Sequence, residues 1–240
     1  MRIFTLMMTA LLFSSATFAQ NNEPKKKDDL SNRVGDHFMW QVSSDHWLGA
    51  PDSIGSAIKP LSRGFNAALM LDKPFKNDPR FSVAFGLGVS TSHIFFDNTE
   101  AIINGNSNRL LFNQTDTVSH FQKYKMATTY AEVPLEIRFF SKPGQTGKSL
   151  KLALGVKVGT LINAHTKGKN LLDKNDQPIS EFTQKISARS YFNSTRIAGT
   201  FRAGYGNFFL FGSYNLTTVF KSQVASDISL LQAGIGITGL

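Results

Sequence analysis

Two glycine-rich stretches have the spacing of nucleotide-binding loops. Gly234, Gly236 and Gly239 match the dinucleotide pattern G-x-G-x-x-G, and residues 144–149 (GQTGKS) end like a phosphate-binding loop. The first pattern needs a following helix whose N-terminus holds the pyrophosphate, and here a single residue follows. The second needs a glycine where the sequence has Lys142. We therefore interpret both stretches as glycines of a strand and a turn, and we expect no cofactor.

A hydrolytic site is conceivable around Ser92 and His93, with Asp97 or Glu100 as the acid. A serine, a histidine and an acid on the outer wall of a barrel could hydrolyse membrane lipid. Adjacent residues of a strand point to opposite faces, however, so Ser92 and His93 cannot easily form a hydrogen bond. A lipid hydrolase stays open as an alternative, but we assign no catalytic residue and expect no enzyme.

Metal binding and nucleic-acid binding have little support in the sequence. The five histidines show no paired ligand spacing, and the chain has no cysteine, so no metal site is predicted. The formal net charge of +9 is spread along the chain. Its one basic run, residues 25–27, is followed at once by Asp28 and Asp29, which is typical of a solvated linker. We expect no nucleic-acid partner.

The first 19 residues have the layout of a secretory signal peptide. Arg2 precedes an apolar run over residues 3–13, and small residues lead to Ala19. The run is too short to span a bilayer as a helix, so we predict cleavage between Ala19 and Gln20. Residues 20–36 contain few large apolar side chains and are predicted to be a flexible periplasmic lead-in. The organised domain is expected over residues 37–240.

In the rest of the chain, apolar side chains alternate with polar or small ones at a period of two residues. This spacing places successive side chains on opposite faces of a strand. Residues 81–90 (FSVAFGLGVS) alternate large apolar side chains with small ones, and residues 150–158 do the same with Lys151 and Lys157 on the second face. We predict eight strands, at residues 37–47, 61–73, 80–95, 118–140, 149–163, 187–203, 207–220 and 228–239.

The connections between these strands alternate in length. Short turns follow the second, fourth and sixth strands, whereas the long polar loops fall at residues 97–117 and 164–186. An even strand number with this alternation is the plan of an outer-membrane barrel. The sequence therefore predicts an all-β fold, an eight-stranded antiparallel transmembrane β-barrel with short periplasmic turns and longer extracellular loops.

The charged residues of the predicted strands fall on the face opposite the large apolar side chains. Since an Arg or Lys facing lipid at mid-bilayer costs roughly 2–4 kcal/mol, we expect this face to line the lumen. We predict an ion-pair network there, made by Glu132, Glu136, Arg138, Lys151, Lys157, Arg196 and Arg202. Pro134 removes one ladder hydrogen bond, so a β-bulge is expected at its position.

Aromatic residues near the predicted strand ends suggest membrane-interface girdles. Core packing is the alternative explanation for any one of them. The residues concerned are Trp40, Trp47, Phe95, Tyr130, Phe140, Tyr191, Phe208, Tyr214 and Phe220.

Three stretches resemble the PorT-like outer-membrane β-barrel proteins of Gram-negative bacteria. They are residues 62–75 (SRGFNAALMLDKPF), 81–90 and 130–139 (YAEVPLEIRF). The resemblance implies an outer-membrane barrel without a cofactor, in a family whose members mostly have no assigned activity. Such barrels commonly end on an aromatic residue. The last predicted strand differs, because it ends Ile237-Thr238-Gly239-Leu240.

These observations predict a non-enzymatic protein with a structural or interaction role in the cell envelope and a lumen filled by side chains. Its expected surroundings are outer-membrane lipid and another envelope protein bound through loops 97–117 and 164–186, since function tends to lie on loops held by a rigid scaffold. A small porin-like channel is the next alternative, followed by the lipid hydrolase. A secreted lipocalin-like binder would share the strand pattern.

Overall fold

The computed structural model describes residues 37–103, 109–115 and 119–239, and within them eight long strands form a barrel. These strands are β1 (Phe38–Leu48), β2 (Arg63–Pro74), β3 (Phe81–Phe96), β6 (His120–Phe140), β7 (Leu150–Leu172), β9 (Thr195–Tyr205), β10 (Phe208–Asn215) and β11 (Ser229–Thr238). Three other strands lie in the connections: β4 (Thr99–Ile102), β5 (Leu111–Gln114) and β8 (Pro178–Ser187). The predicted signal peptide, its cleavage site at Ala19 and Gln20, and the lead-in lie outside the described residues.

The sheet is closed. Every barrel strand is antiparallel to both neighbours in the order β1-β2-β3-β6-β7-β9-β10-β11, and β11 pairs back onto β1. Closure leaves no free edge among the eight strands. The predicted eight-stranded antiparallel barrel is confirmed.

The two ends of the barrel differ. The β2–β3, β6–β7 and β9–β10 connections are short, and we call this rim the turn end; the opposite rim, the loop end, carries the long connections. In the β2–β3 turn, Arg80 donates hydrogen bonds to both carboxylate oxygens of Asp78, which lowers the pKa of Asp78. A short helix, α1 (Asp52–Gly55), lies in the β1–β2 loop at the loop end.

Alternation decides which residues face outward. On β6, Val133, Leu135 and Ile137 are exposed, while their neighbours Glu136 and Arg138 are buried. The same pattern continues on the other barrel strands, so the middle of the outer wall is an apolar band and the charged groups at that height lie inside. In the described part of the chain, no helix is both long and apolar enough to cross a membrane.

One β-bulge interrupts the β6–β7 ladder at the loop end. Thr129 is opposite Asn163, but Tyr130 is opposite Leu161, so Ile162 is the extra residue on β7. Because one residue is inserted, the inward parity of β7 changes from odd to even numbers beyond this point. The prediction of a β-bulge at Pro134 is wrong. Phe85 pairs with Leu135 and Gly88 pairs with Glu132, so the register between β3 and β6 is the same on both sides of the proline.

The aromatic girdle prediction is wrong for about half of its residues. Trp40, Phe208 and Tyr214 are exposed on the outer wall, as a girdle requires. Tyr130 and Phe140 occupy even positions of β6 and are therefore buried in the lumen. The other inward aromatic residues are Trp47, Tyr191 and Phe220, which pack in the apolar cluster described below.

The long connections are more ordered than their polar composition predicts. β7 continues to Leu172 and forms a hairpin with β8, and β4 and β5 form a second hairpin in the β3–β6 connection. The sixth strand starts at Thr195 rather than at 187, because residues 189–191 form a 3-10 turn whose Tyr191 is buried.

Candidate functional site

Near the turn end, one carboxylate in the lumen holds two guanidinium groups. Glu136 accepts from Arg202 Nε at 3.0 Å and Nη2 at 2.5 Å, and from Arg138 Nε at 2.9 Å. Arg138 Nη1 also lies 3.6 Å from Asp72, to which Ser82 donates at 2.6 Å. Each of these ionic groups is at most one-tenth exposed, so the lumen removes water from all of them and the paired charges compensate one another.

Further toward the loop end, Glu132 forms the second ion cluster. Its Oε2 lies 3.1 Å from Lys157 Nζ and its Oε1 lies 3.1 Å from Arg196 Nη1. Arg196 is 2% exposed and packs its guanidinium over the Tyr130 ring at 5.4 Å. The three charges of this cluster come from β6, β7 and β9, which are consecutive around the barrel.

Lys151 occupies a different place from the other six residues of the predicted network. It is half-buried at the turn end, and its ammonium lies 5.6 Å from the centre of the Phe140 ring. Its position at the first turn-end pair of β7, opposite Phe140, puts it at the rim.

Uncharged polar residues extend the ionic clusters to β2, β3, β10 and β11. Arg196 donates to Asn215 at 2.9 Å, to Gln232 at 2.9 Å and to Ser90 at 3.1 Å. Ser90 in turn donates to Asn66 at 2.6 Å. Each of these residues occupies an inward-facing position in the alternation of its strand. The alternation in the sequence could therefore have identified them.

Asp45 is the fourth lumen carboxylate; the sequence analysis named neither Asp45 nor Asp72. It is fully buried and accepts hydrogen bonds from Ser43, Ser92 and Gln232 at 2.5 to 3.2 Å. Gln232 also accepts from Arg196, so Asp45 is connected to the ionic clusters through one amide. Gly64 faces this group, and a Cβ there would lie 2.5 Å from Ser43 Oγ.

Small residues make room for the long charged ones. A Cβ on Gly155 would come within 2.8 Å of the Glu136 Cγ, and one on Gly159 within 2.9 Å of the Glu132 Cγ. The cavity between the two ion clusters is about 30 Å³, room for about one water molecule. The middle of the lumen is therefore filled by side chains.

An apolar plug closes the loop end of the lumen. The positions of the charged residues, from which the lumen was predicted, gave no indication of it. Phe96, Phe192 and Phe220 are at most 2% exposed and pack with inward residues of β3, β6, β7 and β11. Trp47 seals the cluster from β1, with ring centres 5.6 Å from Phe96 and 5.4 Å from Phe220. A smaller cluster around Met39, Met70 and Phe209 lies nearer the turn end.

The residues considered for a hydrolase are not brought together. Ser92 points into the lumen and donates to Asp45 at 2.5 Å, while His93 lies on the outer face with its Nδ1 2.7 Å from Lys125 Nζ. Asp97 pairs with Lys59 at 2.9 Å. Glu100 accepts from the Phe121 backbone N–H at 3.3 Å, and burial raises its pKa.

A different serine and histidine do meet on the outer wall. Ser44 Oγ lies 2.9 Å from His46 Nε2, because residues two apart on β1 share a face. Among the described residues no carboxylate or amide orients the second ring nitrogen of His46. A serine–histidine pair without an orienting group or a set of oxyanion donors lacks the parts that acyl transfer requires. In the described ranges, no three His, Asp or Glu side chains are grouped for a metal ion.

Two hairpins project from the loop end, at the positions of the two predicted interaction loops. β6, β7 and β8 make a three-stranded extension, in which all ten residues of β8 are exposed. In the described residues β8 pairs only with β7, so its second edge is open. The β4–β5 hairpin packs against the plug through Ala101.

The sequence matches a family model described as outer membrane protein beta-barrel domain over residues 13–220. The chain belongs to this family. The membership agrees with the closed barrel and its apolar outer wall, and it identifies the molecule as an outer membrane β-barrel protein.

Among solved structures, this outer membrane β-barrel protein is similar to Ail, the attachment invasion locus protein of Yersinia pestis. The match has 13% identity and a TM-score of 0.35, and it covers 86% of this chain and 99% of Ail. Ail in complex with the heparin analogue sucrose octasulfate gives the same values. No curated protein has a matching sequence.

Proposed function

We propose that this chain is a non-enzymatic protein of the bacterial outer membrane whose barrel holds the loop-end hairpins in place for binding another envelope protein. In this arrangement the signal peptide is removed after Ala19, the turn end faces the periplasm and the loop end faces outward. Within its family, the stretches 62–75, 81–90 and 130–139 favour the PorT-like group.

The observation that carries the proposal is the open edge of β8. An exposed strand edge presents unpaired backbone N–H and C=O groups, to which an extended segment of another protein can add as a further strand. β8 also exposes Ile179, Phe182 and Ile186, each more than one-third accessible, and these would supply side-chain contacts. A binding role thus has both backbone and apolar groups available.

Photocrosslinking in living cells tests this proposal. A photoreactive residue at Phe182 should yield a discrete protein adduct, whereas the same group at Leu154, on the lipid-facing wall, should yield lipid adducts. The adduct at 182 should be lost in the double variant Ile179→Asp, Ile186→Asp and kept in Gln184→Ser, which changes the same strand without charge. Lipid adducts alone at 182, or an adduct that survives the double variant, would contradict the proposal.

The filled lumen argues against a pore. The two ion clusters in the middle leave a cavity of only about 30 Å³ between them, and an apolar plug closes the loop end, so the lumen has no room for a continuous water column. We expect no steady conductance when the purified protein is inserted into planar bilayers. Ohmic channels that scale with protein concentration would favour the porin-like alternative.

A further inference from the structure

The outer face of the barrel carries a cluster of basic side chains directly above the apolar band at the loop end. We call it the basic patch; it consists of Arg63, His93, Lys125, His165, Lys167 and Lys185. Cross-strand register brings these residues together: Arg63 lies opposite His93, and Lys125, Lys167 and Lys185 form one row across β6, β7 and β8. The patch therefore spans five adjacent strands.

Two members of the patch are in direct contact, and two share an aromatic ring. Lys125 Nζ lies 2.7 Å from His93 Nδ1, and the cations of Arg63 and Lys125 lie 5.4 and 5.5 Å from the centre of the Phe95 ring. The histidines of β3 and β7 stand on either side of Ala127, whose small side chain leaves space between the two rings. The patch is thus a shaped surface with an aromatic floor.

No carboxylate compensates these charges among the described residues. The charged groups that interact electrostatically with Lys125 are Lys167 and Arg63. Those that interact with His165 are all lysines of the patch. The nearby carboxylate Asp97 is paired with Lys59. Like charges held this close repel one another, so an anion from outside the chain would stabilise the arrangement.

The height of the patch indicates where that anion comes from. On β2, Arg63 is the next outward-facing residue beyond the lipid-facing Phe65 in the direction of the loop end. On β3, His93 is the second outward-facing residue beyond Val89 in the same direction. On β7 the outward apolar residues run from Leu150 to Ile162, and His165 and Lys167 come next. With a strand rise of about 3.4 Å and a tilt of about 40°, that apolar stretch is roughly 30 Å tall, the thickness of a bilayer core.

We propose that the basic patch binds the phosphate groups of lipid head groups in the leaflet at the loop end. Ammonium and guanidinium groups donate to phosphate oxygens, and long Lys and Arg side chains can lie along the wall while their charged ends reach the head-group layer. Because Lys185 belongs to β8, phosphate binding also holds the projecting hairpin against the membrane surface. The inference does not depend on the protein partner proposed above.

Lipid selectivity in a reconstituted membrane tests the inference. The full-length protein is placed in nanodiscs of phosphatidylglycerol and phosphatidylcholine, and spin-labelled lipids report the relative association of each with the barrel. We expect a preference for phosphatidylglycerol that falls about 25-fold in Lys125→Gln, Lys167→Gln, since each of the two cations near an anionic surface contributes about fivefold. The matched control Lys174→Gln, Lys221→Gln removes two exposed cations at the same end and should stay within about twofold of wild type.

Each other outcome overturns the inference. Equal loss in both double variants would mean diffuse attraction by net charge, and no loss in the patch variant would mean that the patch binds no lipid phosphate. Full displacement of the anionic lipid by excess inorganic phosphate would identify a site for free phosphate instead. Faster migration of unboiled samples on denaturing gels checks that both variants fold, so a folding failure cannot be mistaken for lost binding.

Discussion

At the residue scale, the lumen shows how buried charge is tolerated. Glu136 receives three hydrogen bonds from two guanidinium groups, while the uncharged Gln232 links Asp45 to Arg196. The parity of the sequence predicted which charged residues face inward, because lipid excludes them from the other face. It did not single out Asp45, since short polar residues are common on both faces of strands.

Removing the charge of Glu136 should be severely destabilising. In Glu136→Gln the buried guanidinium groups of Arg138 and Arg202 lose their common anion, so the free energy of unfolding should fall by about 3–5 kcal/mol. Urea unfolding in detergent micelles, followed by tryptophan fluorescence, measures this change. Glu181→Gln on the exposed β8 is the control and should change the value by less than about 0.5 kcal/mol. A loss below about 1 kcal/mol for Glu136→Gln would mean that the ion cluster contributes little.

At the element scale, strand positions were predictable to within a few residues where alternation is strict, as in β3 and β6. The prediction failed where alternation changes phase. Ile162 is the inserted residue of the bulge, and beyond it the inward positions of β7 change to Ala164, Thr166 and Gly168, so a fixed parity ends the strand too early. β8 was missed because it is exposed on both faces and therefore has no apolar alternation to detect.

The close approach of β6 and β7 at Gly155 predicts a position-specific effect. A Cβ there would lie 2.4 Å from the backbone oxygen of Leu135, which cannot move without distorting the ladder. We expect Gly155→Ala to lower the free energy of unfolding by about 1–3 kcal/mol. Gly212→Ala is the matched control, because a Cβ there meets nothing within 4 Å. Equal effects at the two positions would indicate that strand glycines matter only through backbone entropy.

The projecting hairpin should be dispensable for barrel closure. Deleting residues 167–185 and joining Thr166 to Ile186, which are opposite each other in the ladder, leaves all eight barrel strands paired with their neighbours. The shortened protein should still migrate faster unboiled than boiled on a denaturing gel. Deleting β10 (Phe208–Asn215) instead removes a barrel strand and should abolish that difference. Loss of the fast-migrating form in the hairpin deletion would show that β8 is part of the folding unit.

At the scale of the whole molecule, the middle of the barrel has its ionic groups inside and an apolar wall outside. Three layers fill the interior, namely the cluster around Phe209 near the turn end, the two ion clusters, and the apolar plug. The plug explains why several aromatic residues at strand ends are buried rather than in girdles. Nearness to a strand end cannot separate the two cases, because residues at a rim can face either lipid or lumen; parity can, since Tyr130 and Phe140 share the even, inward positions of β6.

The two tryptophans give a direct measurement of this arrangement, because they lie on opposite faces of the same strand. Trp40 is 40% exposed on the outer wall, while Trp47 packs inside against Phe96 and Phe220. In vesicles of lipids with brominated acyl chains, the fluorescence of Trp47→Phe, which keeps Trp40, should be strongly quenched. The fluorescence of Trp40→Phe, which keeps Trp47, should be quenched little, because the barrel wall separates that ring from lipid. Strong quenching of both, or of Trp47 alone, would contradict the assignment of inside and outside on which the lumen clusters and the basic patch depend.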